Sequence, residues 1–316
     1  MDHKIFKIST YQIGLFVIDS NSIFVTGGHG LVGSCVRGDH KPRSSEVNLL
    51  DFKQTLEYMQ DNNIKNVVHC AARVGGVQEN MDKLGEFFYE NMQMTLNIIE
   101  ASRLCGVEKM VCLLSTCIFP DKATYPLTTD QIHMGEPHPS NYGYGYAKRM
   151  TEINARSYRD QYGMKIVNIV PCNVYGIGDN YNLKSSHFYP ALLKKIYYAK
   201  IHKKKKLIVW GTGKARRELM YVDDFADALI FFMKKKIKEP FINIGIGKDY
   251  PINWYAKFLM KKLNVSLKIK YDKSKPDGMP KKLLNINLAK SYGWVPKYDF
   301  DEAFESTFNN FLNKKN

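Results

Sequence analysis

Leu114-Ser115-Thr116-Cys117, followed 27 residues after Cys117 by Tyr144-Gly145-Tyr146-Ala147-Lys148, gathers the parts of a carbonyl-reducing site beside a thiol that reduction does not need. Hydride transfer to a ketone calls for a proton donor, a cation to tune that donor, and a hydroxyl to hold the carbonyl oxygen. Tyr144, Lys148 and Ser115 can supply these in turn. Tyr144 and Lys148 are four apart on a predicted helix, so both side chains leave one face. A free phenol, with a pKa of about 10, is a sluggish acid at neutral pH, and an adjacent ammonium and a cationic nicotinamide are expected to lower that value. Ser115 and Cys117 are two apart at a strand end, so extended backbone points both to one side. Carboxyl ends of parallel strands are where open α/β sheets bind ligands. A thiol there can serve as a base if cations lower its pKa; a small packing residue is the alternative.

A cofactor for such a reaction needs a phosphate cradle. Phe24-Val25-Thr26-Gly27-Gly28-His29-Gly30-Leu31-Val32-Gly33 is a strand running into a turn with Gly27, Gly30 and Gly33 at three-residue spacing. In dinucleotide-binding turns the first glycine permits the bend, the second lets backbone approach a pyrophosphate, and the third lets helix pack on strand. Further along, Trp210-Gly211-Thr212-Gly213-Lys214-Ala215-Arg216-Arg217-Glu218 joins a flat ring to a forked cation, suited to a base and a pyrophosphate. A strand-end turn with exposed arginines is the plain alternative. His187 opens a predicted helix, where a lone histidine is more often a cap, and only a partner would give it chemistry.

These groups must be held by a scaffold, and short β-branched runs alternating with longer amphipathic ones predict βαβ units on a parallel sheet. Strands are expected at Ile23 to Thr26, Asn66 to Ala71, Lys109 to Ser115, Lys165 to Val170, Leu207 to Trp210 and Phe241 to Ile244. Helices are expected at Asp51 to Asn62, Met81 to Cys105, Tyr144 to Tyr162, Phe188 to Ala199, Val222 to Lys234 and Asn253 to Leu263. The fold class is α/β, a doubly wound, Rossmann-like parallel sheet with a smaller C-terminal substrate-binding lobe. The division expected is an N-terminal extension over 1–20, a nucleotide-binding domain over 21–175, and a substrate lobe over 176–316 whose segments near 207–245 return to the sheet.

Composition narrows the classes. With 44% apolar residues in 316 the chain can bury a full core, and it contains no apolar run of about 18 residues that would span a membrane. Ile13 to Ile18 is too short for an export signal, so a soluble, cytoplasmic protein is expected. The six cysteines show no zinc-ligand spacing and imply no disulfide framework. The net charge of +15 is densest at His202 to Lys206 and Lys234 to Lys236. Those runs lack the interleaved aromatic residues of a single-strand nucleic-acid groove, so solvated surface is expected and no nucleic-acid partner.

Taken together the chain resembles the GDP-L-fucose synthases of the extended short-chain dehydrogenase/reductase group, from about Ser22 to near the C-terminus. The resemblance is carried by Ala71-Ala72-Arg73-Val74-Gly75-Gly76, Ser115-Thr116-Cys117-Ile118-Phe119-Pro120, Gly143 to Lys148, Ser186-His187 with Pro190 to Leu193, Trp210 to Glu218, and Ser274-Lys275-Pro276-Asp277-Gly278. It implies 3,5-epimerisation of GDP-4-keto-6-deoxy-mannose and then NADPH-dependent reduction of the 4-keto group. Cys117 would be the base and His187 the acid of the epimerisation, while Tyr144, Lys148 and Ser115 would serve the reduction. Cofactor contacts would fall on Gly27, Gly28, His29, Gly30, Leu31, Val32 and Gly33, on Ala71 and Ala72, on Lys148, on Pro171, Cys172, Asn173 and Val174, and on His187. Lys195, Trp210, Arg217 and Asp277 would bind the GDP-sugar, and the family pattern favours a homodimer.

One departure stands out. Only 14 residues separate Gly33 from Asn48, where the family has a helix, a second strand and the arginine that meets the 2'-phosphate of NADPH. A crossover normally takes about a dozen residues or more before its strand begins, so a shortened helix and a degraded strand are expected, with Arg37 or Arg43 left for the phosphate. Two other readings compete: a related nucleotide-sugar epimerase or dehydratase, and a non-catalytic nucleotide-binding homologue.

Overall fold

The computed structural model describes residues 22–183, 185–275 and 277–314, so the extension expected over 1–20 lies outside the described residues. The chain runs β1 (Ile23–Thr26), α1 (Leu31–Cys35), α2 (Phe52–Asp61), β2 (Asn66–His69), α3 (Val77–Asp82), α4 (Leu84–Leu104), β3 (Lys109–Leu113), α5 (Tyr142–Tyr162), β4 (Ile166–Pro171) and β5 (Asn173–Tyr175). It continues through α6 (Phe188–Ile201), β6 (Lys206–Trp210), β7 (Arg216–Arg217), β8 (Leu219–Tyr221), α7 (Val222–Met233), β9 (Ile242–Ile244), β10 (Tyr250–Pro251) and α8 (Ile252–Lys262). The last elements are β11 (Lys268–Asp272), β12 (Lys281–Lys282), α9 (Asn287–Ser291) and α10 (Phe300–Asn313). The helix expected from Met81 to Cys105 is broken at Lys83, whose φ of −131° and ψ of 39° are not helical.

Five strands form a parallel sheet in the order β1-β2-β3-β4-β9. Successive residues of each strand point to opposite faces, and the sequence is apolar on both. Phe24, Val67, Met110 and Ile166 pack with Ile98 and Ile99 of α4 and Ala155 of α5, while Val25, Val68, Val111 and Val167 pack with Phe225, Leu229 and Phe232 of α7. Each such side chain contributes about 1.5–3 kcal/mol when fully buried, and two separate cores fix the sheet between helical layers. This is the doubly wound α/β architecture. Among the described residues no helix is long and apolar enough to cross a membrane.

The short Gly33 to Asn48 segment keeps a trace of the expected second strand. After α1 the chain turns back along the free side of β1, where His40 forms a single parallel bridge with Phe24. Val25 N donates to His40 O at 2.9 Å, and His40 N donates to Ile23 O at 3.3 Å. Gly38 makes this possible: a Cβ there would lie 2.8 Å from Val25 Cγ2, and its φ of 159° disfavours other residues. The chain therefore leaves β1 one way towards His40 and returns the other way to β2. That reversal opens a crevice at the carboxyl ends of β1 and β2.

Two expected strands, Asn66 to Ala71 and Lys109 to Ser115, stop early at His69 and Leu113, and the residues beyond curl into the crevice. The segment Leu207 to Trp210 departs further from expectation. It was expected to return to the nucleotide sheet, yet β6 pairs in parallel with β11 in a separate two-stranded sheet. Its residues alternate between exposed and buried, leaving one wet face that a sheet covered on both sides cannot accept. Ile242–Ile244, buried throughout, lies beside β4. A third core of Tyr175, Tyr189, Tyr255 and Phe304 supports the segments carrying the second half of the crevice.

Candidate active site

A cavity of about 600 Å³ opens at the carboxyl ends of the parallel strands. Its wall includes Ser115, Cys117, Tyr144, Lys148 and His187, together with Gly27, Gly30, Leu31, Val32, Gly33, Ala71, Ala72 and the run Pro171, Cys172, Asn173, Val174. Lys195, Trp210, Arg217 and Asp277 line its other end. Gly28, His29 and Arg37 are not among the residues of the wall. Gly28 is instead covered by Lys41, whose Cβ would stand 2.6 Å from a Cβ at Gly28.

Tyr144 reaches the cavity because glycines flank it on α5. Gly143 lets the helix close on the Leu84 carbonyl at the start of α4, and Gly145 lets it close on the Cys117 carbonyl and Pro137. The same helix face presents Lys148, which is buried and donates from Nζ to Leu113 O at 3.0 Å. Beyond β3 the backbone does not stay extended as the Ser115 to Cys117 spacing assumed. Ser115 caps a 3-10 turn over Thr116–Ile118, its Oγ accepting from Cys117 N at 3.2 Å. Both side chains still meet the cavity, because the turn carries Cys117 round towards α5.

The electrostatics differ from expectation at the phenol. Burial raises the Tyr144 pKa, and the nearby Cys117 sulfur raises it further, against a smaller opposing hydrogen bond with Ser115. Lys148 does not figure among the causes; its ammonium is held at the Leu113 carbonyl, and burial lowers its own pKa to about 8. The phenol is thus kept firmly protonated. Burial also acts on Cys117 by raising its pKa, but the Lys282 ammonium and hydrogen bonds with Ser115, Lys282 and Asn141 overcome it, leaving the thiol below its ordinary value. For His187, burial and then the Lys282 charge hold the imidazole below its usual value.

Lys282 and Asn141 were missed by sequence reasoning. Lys282 Nζ donates to Cys117 Sγ at 3.3 Å across 165 residues of chain. It arrives there because β12 pairs in parallel with β7 in a register that sets Lys282 beside Arg217. Asn141 precedes α5 at the end of a 3-10 turn, and its Oδ1 is buried without a partner among the described residues.

At the far end, Trp210 is half exposed, with Lys195 Nζ 5.2 Å and Lys275 Nζ 5.5 Å from its ring centre. Asp277 spends its carboxylate on Thr212, accepting from the backbone N and from Oγ1, both at 2.7 Å, and so locks the Gly211 turn that follows Trp210. Arg217 is buried, and its Nη1 donates to the carbonyls of Arg216 and Met279. The Arg73 guanidinium pairs with Glu86 and Glu90 over the Phe87 ring, bracing the loop that follows Ala72.

The glycine end fits a dinucleotide. Gly27 has a φ of 64°, and a Cβ on it would lie 2.9 Å from the Ala71 backbone, so β1 and β2 meet closely at their carboxyl ends. Gly30 faces the cavity, where a side chain would fill the space a pyrophosphate needs.

A strand-turn-helix cradle at the reversal of a doubly wound sheet, with serine, tyrosine and lysine at its mouth, defines a nucleotide-dependent epimerase or reductase. Residues 23–245 match the NAD dependent epimerase/dehydratase family, and the chain belongs to it. It is 35% identical to the GDP-L-colitose synthase of Yersinia pseudotuberculosis, over 93% of this chain and 99% of that relative. To the GDP-L-fucose synthase of Dictyostelium discoideum it is 36% identical, over 88% of this chain and 90% of that one. The crystal structure of a GDP-L-fucose synthetase from Naegleria fowleri bound to NADP superposes with a TM-score of 0.87 at 29% identity, covering 95% of this chain and 96% of that one.

Proposed function

We propose that this chain works as a GDP-L-fucose synthase, inverting C3 and C5 of GDP-4-keto-6-deoxy-D-mannose and then reducing C4 with NADPH. The observation that carries this reading is that Cys117, His187 and the Tyr144–Lys148 pair of α5, drawn from three places in the sequence, open into one cavity. A 4-keto group acidifies the neighbouring C–H bonds, so epimerisation must precede reduction. In each inversion the Cys117 thiolate takes a carbon-bound proton and the His187 imidazolium returns one to the opposite face. Each inversion leaves a thiol and a neutral imidazole, which must exchange protons with solvent before the next. Bound NADPH supplies the hydride for C4. Tyr144 gives its phenolic proton to the C4 oxygen, Ser115 orients that oxygen, and Lys148 holds the nicotinamide ribose.

The glycine turn, Ala71, Ala72 and Pro171 to Val174 would hold the dinucleotide; Trp210, Arg217 and Lys195 would hold GDP, with Asp277 fixing the turn beneath it. Lysine at 195 supplies charge without a bidentate fork. Guanine would stack on the half-exposed Trp210 ring beside the Lys195 and Lys275 ammonium groups. The protein acts in the cytoplasm as a homodimer, the second copy covering the exposed Phe88, Tyr89 and Leu96 of α4 and Tyr162 of α5.

Incubation of the purified protein with the keto-sugar nucleotide and NADPH tests this. GDP-L-fucose formed with matching NADPH oxidation is expected. Folded protein that oxidises no NADPH, or that converts a non-keto sugar nucleotide with only catalytic dinucleotide, would refute it.

A further inference from the structure

Cys117 can act as a base only as a thiolate, and a sulfur enclosed by protein favours the neutral thiol. Something must pay that cost. We infer that Lys282 is a positioning residue for Cys117: its ammonium, hydrogen-bonded to the sulfur, keeps the side chain as a thiolate and aims it into the cavity. This rests on the reading of Cys117 as the base of the epimerisation.

The geometry is direct, with Nζ donating to Sγ at 3.3 Å. The other groups facing the sulfur cannot do the same work. Arg217 interacts electrostatically with Cys117, but its hydrogen bonds run from Nη1 to the carbonyls of Arg216 and Met279 and from Nη2 to Asp277 O, away from the sulfur. Tyr144 is a phenol that burial and the Cys117 charge keep protonated, so it brings no cation to the sulfur. Ser115 and Asn141 are neutral hydrogen-bonding groups. Lys148 is turned to the Leu113 carbonyl.

The placement of Lys282 follows from strand alternation. In the two-residue β12, register pairs Lys282 with Arg217 and Lys281 with Arg216. Side chains of adjacent strand residues point oppositely, so Lys282 and Arg217 meet the cavity while Lys281 lies over the Tyr125 ring at 5.4 Å and Arg216 bonds Asp249. The same ammonium also lowers the His187 pKa, although burial does more. One cation thus favours the proton-free form of the base and makes the acid more willing to release its proton.

The test reads Cys117 alone, without substrate. Purified protein is alkylated with iodoacetamide across a pH series, and modification of the Cys117 peptide is followed by mass spectrometry. In the wild type the rate is expected to reach half its maximum below the free-thiol value of about 8.5. Lys282→Met should move that point up by about one unit, cutting the rate near neutral pH roughly tenfold. Lys282→Arg should restore most of it, and Lys281→Met should leave the wild-type curve unchanged. An unshifted curve in folded Lys282→Met protein overturns the inference. Should that variant not fold, a wild-type midpoint at or above the free-thiol value overturns it instead, and one below it together with a retained low midpoint in Lys282→Arg supports it. Because no sugar nucleotide enters the measurement, a wrong substrate assignment would show in the turnover assay and leave this titration readable.

Discussion

Gly145 on α5 lies so close to Cys117 that a Cβ placed on it would stand 2.7 Å from the Cys117 carbonyl oxygen. The helix that carries the Tyr144 phenol is therefore packed directly on the turn that carries the Cys117 thiol.

Gly145→Ala is expected to force α5 and the Cys117 turn apart. Overpacking of this kind costs about 1–3 kcal/mol, which a shift in the denaturant midpoint would register. Proton exchange and reduction should both fall, since both groups move. A variant as stable and as active as the wild type would show that the close approach is not required.

Cofactor selection should depend on Lys41. Neither Arg37 nor Lys41 lines the cavity wall, but Arg37 is exposed, whereas Lys41 follows His40, the bridge residue beside β1, and packs over Gly28 of the glycine turn. Its Nζ donates to Ser34 O at 3.2 Å, a contact it can exchange for a phosphate. Losing a charge-assisted hydrogen bond costs about 1.5–3 kcal/mol, so Lys41→Ala should weaken NADPH binding about tenfold or more while sparing NADH. Calorimetric titration checks this; Arg37→Ala weakening NADPH while Lys41→Ala does not would reverse the assignment.

Acid should destabilise the fold through His69. It is fully buried at the end of β2, bonded to Thr26 Oγ1 at 2.8 Å. Burial, then the Lys148 charge, lowers its pKa to about 3. An unfolded histidine titrates at about 6.5, so below that pH the unfolded chain binds the extra proton. The stabilisation is fully present above about 6.5 and is lost as pH falls towards 3, a change on the order of a few kcal/mol. Denaturant midpoints between pH 7 and 4 should fall more steeply in the wild type than in His69→Gln; parallel slopes would contradict the assignment.

Much of this site was legible because its signals are local. Glycine spacing after β1 and the four-residue step from Tyr144 to Lys148 each lie within one turn of chain, and the strand and helix periods place them. Residues whose positions depend on distant pairing were not legible. Lys282 sits on a two-residue strand, too short for any period, and meets Cys117 only through the register of β12 on β7. The shortened crossover could be read as a defect but not as a His40 bridge, since one paired residue has no pattern. Strand β6 is readable as a strand, but the sheet it joins is decided by its one-sided alternation of exposed and buried residues. Sequence spacing shows that Lys148 is near Tyr144 but not that its ammonium is bound to the Leu113 carbonyl.

The division of labour between thiol and phenol is tested most directly by deuterium incorporation at C3 and C5 of the keto-sugar in heavy water, comparing Tyr144→Phe with Cys117→Ser. Removing the phenol should lower reduction by about 10²–10⁴-fold while exchange continues, and removing the thiol should suppress exchange. Loss of exchange in Tyr144→Phe, or its survival in Cys117→Ser, would contradict the account.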